Sequence, residues 1–251
     1  MTGQFPFRKH SNYTMQRPSS IAHLNNSAVA LMQQGRYQEA IVGFRRATGE
    51  MKSSLRVDTD DATAVPEQPN LNFFPFSLRH YVAKSKLSIQ AQRSDEGSIF
   101  EVFDYAFYLP SRCEVGQTNQ GWSSVAMLYN MALSYHLQSL SKGSSDKEMG
   151  LAQNLYKMAL SVVESCLTDV HSDEGLLMLL LAIFNNLGHI HACSFEAPAT
   201  THCVTAMRAL LESNTGITAM ASEENGELFD PFKLSTVVYA SSVLFAFAPV
   251  A

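Results

Sequence analysis

Residues 24–47 read LNNSAVALMQQGRYQEAIVGFRRA, and the fold turns on this stretch. Its small residues Ala28, Ala40 and Ala47 combine with Leu31, Tyr37 and Phe44 at the spacing of two helices joined by a turn. Gly35 stands between the halves, where a residue able to take positive φ ends the first helix. Ala40, Phe44 and Ala47 fall at i, i+4 and i+7, one face of the second helix. Alanine there lets the helices approach closely, and the aromatic ring fills the gap between them.

The unit recurs. MLYNMALSYHLQS followed by GLAQNLYKMALSVV sets Leu128, Asn130, Ala132 and Tyr135 on a first helix and Ala152, Tyr156 and Ala159 on a second. Ala28 and Ala40 are 12 residues apart, whereas Ala132 and Ala152 are 20 apart, so eight residues are added, and the polar SLSKGSSDKE reads as the loop that holds them. A weaker third copy sets Phe184, Asn186, Leu187, Gly188 and His191 against Cys203, Met207 and Leu210, with three residues added around Phe195 to Thr200 and Pro198 marking the turn. Three such units are about the minimum for a stack, because each hides its apolar face only against a neighbour.

These residues resemble the tetratricopeptide repeat, whose pattern puts a large residue, Asn and a small residue on helix A, then Ala, an aromatic and Ala on helix B. Leu24, Asn26, Ala28, Leu31, Gly35, Tyr37, Glu39, Ala40, Phe44 and Ala47 take those places in the first unit. The resemblance covers about half of the chain. It implies a mainly α fold, a superhelix of antiparallel helix hairpins. The arrangement of aromatic run, repeat units and small apolar tail also looks like a group of helical-repeat proteins of marine algae such as diatoms, a likeness that brings no activity with it.

The rest divides into a flexible tail over 1–20 and a single helical domain over 21–251, with a long insert at about 53–120. Within the insert, Asp58 to Asn70 is acidic and proline-containing and reads as an exposed loop. Ile99 to Leu109 is rich in aromatics and reads as a strand. After the turn-like Asp230-Pro231, Leu234 to Phe247 is rich in β-branched and aromatic residues too. Pairing 99–109 with 234–247 gives a small two-stranded antiparallel element leaning on the helices. The alternative is that 234–247 is the last, solvating helix of the array.

Composition narrows the function classes. Apolar residues make up 46% and charged residues 16% of the 251, and the formal charge is -5. A charged share below the usual quarter points to extensive burial. No basic field draws in phosphate backbones or anionic membranes, so neither nucleic acid nor membrane is an expected partner. Arg8, Lys9 and Arg17 stand without acids in the first twenty residues, but no apolar leader run or clear amphipathic helix accompanies them. Leu176 to Phe184 is the longest unbroken apolar stretch, well short of the roughly 20 residues of a span, and reads as a core helix. Cys113, Cys166, Cys193 and Cys203 form no CxxC pair and are expected as reduced thiols of an intracellular, cytoplasmic or nuclear protein.

No GxGxxG, GxxxxGK[ST], HExxH or GxSxG is present, and no cofactor is expected. Asp58, Asp60 and Asp61 begin like a calcium loop, but Thr63 and Pro69 stand where Gly and Glu are needed. One cluster carries ligands that zinc prefers: His189, His191, Cys193, His202 and Cys203. His189 and His191 are two apart on a helix and point in different directions, and His191 and Cys203 fall on packing positions of the repeat. The expectation is therefore not an enzyme, with zinc binding or catalysis through this cluster as the alternative.

The resemblance implies a partner groove lined by helix A. Its positions here are Asn25, Val29 and Met32 in the first unit, Tyr129, Leu133 and His136 in the second, and Asn185 and His189 in the third. An asparagine amide both gives and accepts a hydrogen bond, so it suits a peptide backbone, while Met and Leu supply apolar contact. The family's carboxylate clamp of Lys and Arg is missing, since Asn25, Val29, Ala182 and Phe184 hold those places. A protein or peptide partner without an acidic tail is expected, in a scaffolding role. Alternatives are a groove filled by the chain's own insert and a structural subunit of a larger assembly. Oligomeric state is not set by the sequence.

Overall fold

A computed structural model describes residues 20–57, 82–84, 100–110, 117–143, 146–166, 174–214 and 227–239. The elements are α1 (Ser20–Gln33), α2 (Tyr37–Val57), β1 (Val82–Lys84), β2 (Tyr105–Phe107), α3 (Gln117–Ser141), α4 (Asp146–Cys166), α5 (Glu174–Cys193) and α6 (Ala197–Ser213). A last helix, α7, covers 227–239. The chain is thus mainly helical with one two-stranded antiparallel sheet.

The helices pair as the repeat spacing predicts: α1 with α2, α3 with α4, α5 with α6. Successive pairs also touch, α2 on α3 and α4 on α5. In α2 the buried side chains are Tyr37, Ala40, Ile41, Phe44, Ala47 and Met51, one stripe at helical period. Close approach is enforced at Gly43, where an added Cβ would sit 2.9 Å from that of Ala28. The first helix of each later pair lies between layers: every residue from Val125 to Leu140 of α3 is buried. Helix α5 is long and apolar enough to cross a membrane, but 83% of its apolar window is buried in the fold, as suits a core helix.

All three first helices end on a residue with positive φ: Gly35 (73°), Gly143 (79°) and Phe195 (57°). Around Gly35 the Arg36 amide donates to Leu31 O (3.0 Å) and the Gly35 amide to Met32 O (2.9 Å). Around Phe195 the Glu196 amide donates to His191 O (2.9 Å) and the Phe195 amide to Ala192 O (3.1 Å), the same pair of reversed bonds that closes a left-handed cap.

The structure corrects several local expectations. The eight residues added in the second unit do not form a long loop. They lengthen α3 to Ser141 and start α4 at Asp146, about one turn on each helix. Pro198 is not in the turn; it stands in the opening positions of α6, where its missing amide costs no helical bond. The strand partner of the aromatic run is β1, with Val82 opposite Phe107, Ala83 opposite Ala106 and Lys84 opposite Tyr105. The proposed pairing with 234–247 is overturned as far as Tyr239, because 227–239 is helix and Asp230-Pro231 lies inside it. Leu228, Phe229, Phe232, Ser235 and Thr236 are its buried residues, a helical and not an alternating period, so tertiary contacts outweigh the β propensity of its composition. The tail 1–19, the acidic stretch 58–70 and residues 240–247 lie outside the described residues.

Candidate functional site

Helices α1, α3 and α5 share a face, and residues 100–110 run across it in extended form, with β2 as the part that pairs with β1. In an extended chain alternate residues turn their N–H and C=O to the same side. Glu101, Phe103, Phe107 and Leu109, all odd-numbered, meet helix side chains through their backbone, and Ala106 lies between two of them opposite Ala83 of β1.

Three asparagines from one repeat position hold that backbone from both its polar atoms. Asn26 of α1 donates through Nδ2 to Leu109 O (2.8 Å) and accepts from the Leu109 amide (2.8 Å). Asn130 of α3 does the same to Phe107, at 2.7 and 2.8 Å. Asn186 of α5 does it to Phe103, at 3.1 and 2.8 Å. The residues that precede them add single bonds: Asn25 Nδ2 to Phe107 O (3.0 Å), the Tyr129 hydroxyl to Phe103 O (3.0 Å), and Asn185 Nδ2 to Glu101 O (2.7 Å). The amides also brace one another, as when Asn130 Nδ2 donates to Asn25 Oδ1 (3.1 Å) and Ser235 donates to Asn185 Oδ1 (3.1 Å). Asn25, Asn130, Asn185 and Asn186 have no exposed surface, so each bond stands in for one that water would otherwise make.

Side chains of the segment complete the seal. Phe100, Phe103 and Phe107 are buried. Phe107 meets Tyr129 edge-on at 5.3 Å between centroids, and Phe103 lies 4.8 Å from Phe232 of α7. Phe100 occupies the space left by Gly188, where a Cβ would fall 2.6 Å from its ring. Asp104 is the one buried acid among the described residues, and its Oδ2 has no hydrogen-bond partner among them. Burial pushes its carboxyl up to about 6, with Lys84 opposing and Glu101 adding to the rise. Tyr37 is pushed up to about 12 by burial and by Asp104. Tyr129 is raised well above its ordinary range by burial, then by Tyr156 and Asp104, so it stays a neutral donor.

All eight residues expected to line the partner groove have no exposed surface. Asn25, Tyr129 and Asn185 face the chain's own segment. Val29, Met32 and Leu133 belong to the core. His136 Nε2 and His189 Nδ1 are 3.0 Å apart and bonded to each other, and burial beside His189 drives His136 well below its ordinary pKa. The residues that sequence reasoning missed as holders of a backbone are Asn26, Asn130 and Asn186. It read them only as markers of the repeat, although an asparagine recurring on an otherwise apolar face needs a polar partner.

The zinc-type cluster is not assembled. Among the described residues no three of His, Cys, Asp and Glu are placed to share a metal ion. His189 meets His136 and, of the cluster, Cys193, whose Sγ lies 3.8 Å from its Nε2; His191 Nδ1 meets Glu196 Oε2 at 2.6 Å, and the His202 ring stands edge-on to Phe184. Cys193 is free and exposed; Cys203 is free and buried, its thiol pushed up to about 11 by burial against the opposing charge of Lys157. A scan against protein-family models finds no matching family, and searches of curated proteins and of solved structures find no match either.

Proposed function

We propose that the protein is a tetratricopeptide-like interaction module whose first-helix face binds an extended polypeptide, with its own residues 101–109 occupying that place in the state described. One observation supports the reading above others: a single repeat position supplies three asparagines that each take one residue's N–H and C=O together. Such amides read backbone and not sequence, which suits a module that recognises extended chains. The role proposed is binding and scaffolding.

The test is affinity purification with the full chain and with Tyr129→Phe plus Asn185→Ala, a pair that removes two of the single bonds and leaves the three double ones. Partners held through this face are lost or reduced several-fold with the variant at unchanged helical content by circular dichroism. A partner set retained unchanged by a folded variant sinks the reading.

A further inference from the structure

The segment seated on the face shows what fits there. Its backbone is held by amides that are indifferent to side chains, so selectivity falls to the positions that are buried on either side of the strand. Val102, Asp104 and Leu109 are buried too, but the two large rings dominate: Phe103 and Phe107 are 2% and 0% exposed, four residues apart, and each meets an aromatic wall. Ala106 is 0% exposed, so a larger side chain there has to displace packed neighbours. Tyr105 and Tyr108 are only half-buried, and Glu101 is exposed, so those positions are permissive.

We infer that this face accepts in trans an extended segment of another protein bearing two aromatic residues four positions apart with a small residue directly before the second, and that residues 101–109 are its tethered stand-in. The inference rests on the interaction reading above and adds the partner's chemistry to it. The tether sets the competition. A segment in the same chain presents itself at an effective concentration on the order of millimolar, so a free segment with equal contacts binds only weakly until the resident one is loosened. Opening requires no break in any helix, because 101–109 contributes no helical residue.

The probe is a fluorescent synthetic peptide of sequence FEVFDYAFYLP, which is residues 100–110, titrated by anisotropy into the full chain and into Phe103→Ser/Phe107→Ser. The variant binds at least tenfold more tightly than the parent, and adding Asn130→Ala abolishes the gain. Peptides with the phenylalanines of positions 103 and 107 replaced by serine, or with the residues of positions 106 and 107 exchanged so that the spacing falls to three, lose at least tenfold. If the moved and unmoved peptides bind the loosened chain equally, the spacing rule is overturned while the interaction reading survives. If the folded, loosened chain binds none of them, the interaction reading itself falls. Should the variant not fold, amide exchange on the unaltered chain decides: Phe103, Phe107 and Leu109 amides exchange before those of α3. Exchange of all of them only on global unfolding overturns the proposal by making the strand permanent. A mass that doubles with concentration and returns to monomer on adding the free peptide also overturns it, since the occupant is then a second copy.

Discussion

The first-helix face and the turns that follow those helices are both built three times over, yet they treat repetition differently. On the face, Asn26, Asn130 and Asn186 keep one residue type and one geometry across all three units. At the turns, Gly35 and Gly143 agree, but the third unit puts Phe195 in the same left-handed conformation with 94% of its surface exposed. The difference follows from what each position must satisfy. A buried backbone N–H and C=O need a partner of fixed geometry, and losing it costs kilocalories. A solvent-exposed turn only prefers glycine, and a bulky residue there costs about 1 kcal/mol.

The strongest way to break this contrast is to remove the middle clamp. Asn130→Ala leaves both polar groups of Phe107 buried, with only the Asn25 contact to its carbonyl surviving. The Phe107 N–H and Asn25 Oδ1 lose their partners, so the expected loss in urea unfolding is about 2–6 kcal/mol, from roughly 1–3 kcal/mol for each stranded group. Asn26 makes the same two bonds at a partly exposed end, where water replaces them. Asn26→Ala therefore costs about 1–2 kcal/mol. Equal losses at the two sites would show that the amides act by packing and not by satisfying buried backbone.

Much of this architecture was legible in the sequence, and the division has a physical cause. The hairpins could be read because Ala28, Gly35, Tyr37, Ala40 and Phe44 interact within one short stretch, so spacing alone carries the information. The occupant of the face could not be located that way. Phe103 and Asn186 are 83 positions apart, and an asparagine that binds backbone leaves no complementary residue type to look for. The expectation that the insert could fill the groove named the outcome without its register. The aromatic run was read as extended, but its partner strand was missed because β1 has three residues, VAK, with no alternation long enough to notice. Conversely, 234–247 looked like strand because β-branched and aromatic residues crowd it, while as far as Tyr239 the helical period of Leu228, Phe229, Phe232 and Ser235 decides it.

Acidity probes the same strand with a smaller effect. Asp104 titrates at about 6 in the fold against an ordinary 3.8, chiefly because it is buried. A raised carboxyl favours the folded state fully below about pH 4, and that contribution is lost as pH rises through 6. A shift of about two units corresponds to roughly 2–3 kcal/mol. The chain is therefore expected to lose up to that much stability between pH 4 and pH 7.5 relative to Asp104→Asn, which carries no titrating group there. Urea midpoints of the two proteins that run parallel across this range would contradict a burial of this carboxylate that outweighs the nearby Lys84.

The smallest effect lies at the turn, and its sign is opposite. Phe195 holds φ 57°, a conformation that favours glycine, and its ring makes little contact with the rest of the chain at 94% exposure. Phe195→Gly relieves that backbone cost but adds freedom to the unfolded chain, two terms of similar size. Relief of the left-handed conformation, about 1–2 kcal/mol, outweighs the gain in unfolded-state entropy, about 0.4–1 kcal/mol, so the variant is expected to be more stable by a few tenths to 1 kcal/mol. Gly35→Ala, made as the mirror change, should destabilise by the same few tenths to about 1 kcal/mol, since it imposes on the first turn the strain that the third already bears and is partly offset by the stiffer unfolded chain. If Phe195→Gly instead lowers the melting temperature, the ring is held by a contact that outweighs its strain, and the third turn is no longer the tolerant one.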